Sequence, residues 1–171
     1  MEAEIFVHSP TDYVKNNFKS FLPDWESPPV SVIIVLQRSQ VALINQGADI
    51  EAEKDFLRQK FLDFSYALCR SLDEQRFLTD IIDPRSGYAL FSRQGSQSHD
   101  DCQVIHQLRQ IPIIKQNLCK SLDHPSWGTA VYPGVLMSLA PASKIQPLIV
   151  DNTGAQKGNY IDGLQFRPNQ A

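Results

Sequence analysis

Apolar positions in this chain recur at steps of two, at steps of three and four, and in unbroken runs, and each spacing predicts a different element. Glu4–His8 alternates around Ile5 and Val7 and reads as a short strand. Ser9 then offers an N-cap with Pro10 at the first helical position, and Tyr13, Val14, Phe18 and Phe21 form a helical stripe stopped by Pro23. Pro28-Pro29 marks an extended linker. Val30–Gln37 is rich in β-branched residues and apolar on both faces, the pattern of a strand covered on both sides. Val41–Ile44 reads as its partner or its continuation. From about Ile50 to Asp73, Leu57, Phe61, Phe64, Leu68 and Leu72 share one face of a long helix. Asp49 caps its start in this reading, with Glu51 and Glu53 at the positive end of the dipole.

Phe77–Ile82 is a further strand, followed by a turn and a returning strand over Tyr88–Ser92. The structural turn residues are Asp83, whose carboxylate accepts backbone donors, Pro84, which fixes φ, and Gly87, which releases the chain into the hairpin. Gly95–Asp101 reads as a polar loop, Cys102–Gln110 as weakly helical and Ile113–Leu122 as helical. Gly128–Leu139 reads as a long strand disturbed at Pro133-Gly134. Strands interleaved with helices, with at least one tight hairpin, predict an α/β or α+β sandwich with a mixed or antiparallel sheet. After Leu148 the composition turns to Asn, Gly and Gln. A domain over residues 1–150 and a flexible C-terminal tail over 151–171 follow, with Tyr160, Ile161, Leu164 and Phe166 as possible docking residues.

The chain has 171 residues, 42% hydrophobic and 20% charged, enough for one globular core without a disulfide or metal staple. A net charge of −3 gives no case for binding nucleic acid or an anionic membrane. The longest apolar run, Val30–Leu36, is too short to span a bilayer, and Met1–Glu4 lacks signal or transit character. Three widely spaced cysteines, Cys69, Cys102 and Cys119, do not make a disulfide framework, so a cytoplasmic, reducing compartment is expected.

Catalytic motifs are missing: there is no phosphate loop, no dinucleotide turn and no nucleophile elbow. His99, His106 and His124 lie too far apart for a zinc site, so no catalytic residue and no metal are assigned. The His99–Cys102 cluster reads as a solvated loop. Asp80 and Asp83, three apart on a strand, face opposite ways and cannot be an acid–base pair. Arg85 at the turn tip is either solvated or an anion ligand. His124-Pro125-Ser126-Trp127 forms a corner whose aromatic either fills the core or anchors a partner. Cys119, beside Lys120 and close to His124, is either a thiol activated by cations or a small core residue.

The stretch from Asp80 to Phe91, taken with Cys119 and His124–Thr129, resembles the methylmalonic aciduria and homocystinuria type D family of intracellular vitamin B12 handling. The likeness extends through His8–Pro23, Val32–Arg38 and Lys60–Cys69, and covers about residues 4–145. It implies a fold related to the flavin nitroreductases, with antiparallel sheet and helices, that binds neither flavin nor cobalamin tightly alone. It also implies a non-enzymatic adaptor or chaperone that receives cobalamin through a type C-like protein or a cobalamin-dependent enzyme. On that resemblance Cys119 is the candidate cobalt–thiolate ligand, and His124, Trp127 and Arg85 form the candidate partner interface. The family's cysteine pair is here Leu118-Cys119, a single thiol. Two rivals stay open: an oxidoreductase that holds flavin, and an interaction module with no cofactor.

Overall fold

A computed structural model describes residues 2–153 and 164–166. The elements are β1 (Ala3–His8), α1 (Asp12–Phe21), β2 (Ser31–Arg38), α2 (Ala48–Glu74), β3 (Thr79–Ile82), α3 (Asp101–Arg109), β4 (Ile113–Gln116), β5 (Cys119–Leu122), β6 (Val131–Ser138), α4 (Ala142–Thr153) and β7 (Leu164–Phe166). Five strands form one sheet in the order β3-β6-β2-β1-β7, while β4 and β5 pair apart from it. All pairs are antiparallel except β1 with β7, which makes the sheet mixed.

The period of two along the strands divides the core in half. Val32, Ile34 and Leu36 of β2 join Val135 and Met137 of β6 on one face, against Val14 and Phe21 of α1 and Val104 and Ile105 of α3. Ile33, Val35 and Leu136 point the other way, onto Phe61, Leu68 and Leu72 of α2 and Ile145 and Ile149 of α4. The result is a three-layer α/β sandwich, as the interleaved pattern requires. Gly134 lies opposite Val35 in an unbroken β6, because a bare backbone there admits the Phe61 ring: a Cβ would stand 2.4 Å from its Cε2.

Several local expectations are corrected. The cap of α1 is Thr11, whose hydroxyl accepts from the Val14 amide at 3.2 Å, so Ser9 lies outside the helix. Gly47, not Asp49, precedes α2, and Asp49 sits in its first turn. Val41–Ile44 is a loop held by the Leu43 amide on the Thr129 carbonyl at 3.0 Å. Ile113–Leu122 is a hairpin, reversed at Asn117 with φ 54°, and not a helix. The arm after the turn makes one bridge, Ala89 with Ile82. It then leaves the ladder, because the Asp80 carboxylate captures the amides of Phe91 and Ser92 at 2.9 and 2.8 Å. Helix α4 runs past residue 150, and β7 lies along β1. The remainder of the expected tail, Tyr160 and Ile161 included, lies outside the described residues.

Candidate functional site

The Asp83 turn is held from the helix side as well as from within. Arg58 on α2 grips the carboxylate with Nε at 2.8 Å and Nη2 at 3.1 Å, a bidentate fork. The same carboxylate accepts the Arg85 amide at 3.1 Å. Burial pushes the Asp83 carboxyl up, but Arg58, the Arg85 amide and the Ser86 hydroxyl outweigh it and hold the group below its usual range. Gly87 closes the turn with φ 74°, its amide donating to the Asp83 carbonyl at 2.7 Å. Asp83, Pro84 and Gly87 therefore form the tight turn read from the sequence. Arg85 at its tip is exposed and lies between Glu51 and Asp55, at 3.6 and 3.0 Å.

This turn forms one wall of a cavity of about 610 Å³, and β5 forms another, bringing Arg85 and Cys119 to the same space. Arg58, Tyr132, His99, Asp101 and Lys120 also line it. Of the cluster expected to be solvated, Asp100 is exposed and Asp101 and Cys102 are half-buried, but His99 is inside. His99 is buried, and its Nδ1 lies 2.5 Å from the Asp101 carboxylate, whose own pKa burial pushes up. Asp100 caps α3 by accepting the Gln103 amide at 3.0 Å, and it also takes the Lys120 ammonium.

Cys69 is buried, whereas Cys102 and Cys119 are both half-buried and both line the cavity. Burial pushes Cys69 and Cys102 up to about 12. Cys119 is partly exposed, with the Gln46 amide nitrogen 3.9 Å from its sulfur. Its neighbour Leu118, at the hairpin tip, is 99% exposed.

The corner after β5 is packed against β1, away from the cavity lining. His124 is only 3% exposed and stacks on Trp127, with ring centroids 4.0 Å apart and planes at 16°. Its Nδ1 accepts the Ser126 and Trp127 amides at 3.2 and 3.3 Å, which leaves the ring proton on Nε2, facing Glu4 at 3.4 Å. Trp127 is half-buried. Of the three candidate interface residues, Arg85 is thus exposed, Trp127 half so, and the His124 ring is committed to the corner. Sequence reasoning missed Arg58, whose partner is 25 residues away, and Asp80, which takes four donors: the Ile81, Phe91 and Ser92 amides and the Ser92 hydroxyl. A carboxylate inside an apolar strand was the available signal for Asp80, since burial demands partners.

Among the described residues no helix is long and apolar enough to cross a membrane, and no group of three metal-binding side chains converges. Residues 1–147 match the family described as methylmalonic aciduria and homocystinuria type D protein. The Cobalamin trafficking protein CblD of Homo sapiens is 23% identical over 151 residues, covering 88% of this chain and 51% of that protein. Its Mus musculus counterpart is 22% identical over 141 residues, 82% of this chain and 48% of the relative. The Gallus gallus protein is 22% identical over 152 residues, with 88% and 51% covered. The chain spans about half the length of these relatives.

Proposed function

Since this chain belongs to the methylmalonic aciduria and homocystinuria type D protein family, we propose that it serves cobalamin trafficking as a non-enzymatic adaptor. It meets a cobalamin-bearing type C-like protein, or a cobalamin-dependent enzyme, and takes no cofactor tightly on its own. The observation that carries this reading is Cys119, a half-buried thiol that lines the cavity from the β4–β5 hairpin. A thiolate is a soft donor suited to cobalt offered by a partner, and burial disfavours that form at Cys69 and Cys102, whose thiols it pushes up to about 12. The size of the cavity, about 610 Å³, suits a small molecule and not a corrinoid with its nucleotide arm, which is consistent with cargo held by the partner. Arg85 lines the same cavity, and Leu118, next to Cys119, is exposed. Three free cysteines fit work in a reducing, cytoplasmic setting.

The test mixes the purified chain with a cobalamin-loaded type C-like protein and follows gel filtration and the visible spectrum. Co-elution with a shifted corrinoid spectrum is expected, and Cys119→Ser should abolish the shift. Micromolar or better affinity of the isolated chain for flavin or free cobalamin would overturn the adaptor reading, since about 8 kcal/mol of binding needs a dedicated pocket.

A further inference from the structure

We infer that His99 is a positioning residue tying the Asp83–Gly87 turn to the strand that carries Cys119. The inference deepens the reading above, because Cys119 is the group positioned. On the turn side, the His99 amide donates to the Gly87 carbonyl at 2.7 Å. The fit is close: a Cβ on Gly87 would lie 2.9 Å from both the His99 carbonyl oxygen and the Ser98 Cβ. On the strand side, the imidazole Nδ1 meets the Asp101 carboxylate at 2.5 Å, in the first turn of α3. The preceding residue, Asp100, caps that helix and holds Lys120, the next residue after Cys119 on β5. One continuous path of hydrogen bonds and chain neighbours therefore joins Arg58, the turn, His99, the start of α3 and β5.

Packing alone does not account for an imidazole here. The side chain is fully buried against Phe21, ring centroids 5.2 Å apart, and its Nε2 has no hydrogen-bond partner among the described residues. A buried unpaired nitrogen is costly, and a slightly larger phenyl ring would fill the site without that cost. What histidine adds is the bond to Asp101. That bond fixes the first turn of α3, whose cap Asp100 holds Lys120 of β5.

Two substitutions in the full chain separate the bond from the volume. His99→Phe keeps an aromatic ring, slightly larger, and loses the hydrogen-bonding nitrogen, whereas His99→Asn loses volume and keeps a polar atom near the Nδ1 position. Cys119 alkylation by iodoacetamide is timed by mass spectrometry, with Cys69 as an internal reporter of unfolding. His99→Phe is expected to change the Cys119 rate by about threefold or more while Cys69 stays protected, and His99→Asn to return it within about twofold of wild type. The reverse order, with Phe unchanged and Asn altered, assigns His99 to packing and overturns the proposal. If Phe unfolds the chain, Asn decides: retention of the Cys119 rate and of Cys69 protection supports the bond, and loss of either refutes it. No cobalamin enters this assay, so its failure and a failure of partner binding are read separately.

Discussion

A thiol buried in apolar surroundings stays protonated and unreactive, whereas one at a surface hairpin meets reagent freely. Brief alkylation near pH 8 should therefore label Cys119 well before Cys69 or Cys102, whose thiols burial has pushed up to about 12. Peptide mapping that finds Cys69 or Cys102 labelled first would remove Cys119 from the proposed role. Asp83 gives a second expectation, with a definite sign. Its folded pKa lies below the unfolded value, so its contribution is present above about pH 4 and fades as pH falls through the folded value. Asp83→Asn should cost about 2 kcal/mol at pH 7, the range for hydrogen bonds to a charged group. The gap between wild type and variant should narrow as pH falls below about 4 and through the folded value, and a gap that stays constant from pH 7 down into acid would refute the assignment. The turn itself was legible because Asp, Pro and Gly act on their own backbone. The Arg58 fork was not, because nothing local pairs residues 58 and 83.

Among the elements, the long helix α2 and the doubly covered strand β2 were readable because each repeats one spacing far enough to exclude the other period. The β4–β5 hairpin was not. Ile113, Ile114 and Leu122 flank a polar middle in a pattern that either period tolerates, and Asn117 turns the chain without the glycine that would have flagged it. Helix α4 carries Ile145, Leu148 and Ile149 at helical steps, a signal outweighed by Pro147 within and the Asn- and Gly-rich sequence beyond. The contact between β6 and α2 is testable at Gly134. A methyl group there meets Phe61 ring carbons at 2.4 to 2.8 Å, so Gly134→Ala forces the ring or the strand to shift. A loss of about 1–3 kcal/mol in urea denaturation is expected, as for other overpacked cores. Combining it with Phe61→Leu should recover part of the loss, and purely additive costs would show that the clash is relieved elsewhere.

For the molecule as a whole, the question is how much the sheet depends on its last strand. Both halves of the core close without β7: Ile145 and Ile149 of α4 already cover the α2 face, and β1 is paired along its full length by β2. Strand β7 adds three residue pairs, Leu164, Gln165 and Phe166 beside Ala3, Glu4 and Ile5, and so occupies part of an edge. An edge strand left open is a template for pairing with another chain, and covering it protects against association more than it adds stability. Truncation after Thr153 should accordingly lower the melting temperature by no more than about 4 °C, the shift that 1 kcal/mol gives in a domain of this size. Hydrogen exchange at Ala3–Ile5 should accelerate, and the tendency to self-associate should rise with concentration. A large fall in melting temperature would instead make the C-terminal segment part of the folding unit and move the domain boundary past residue 150.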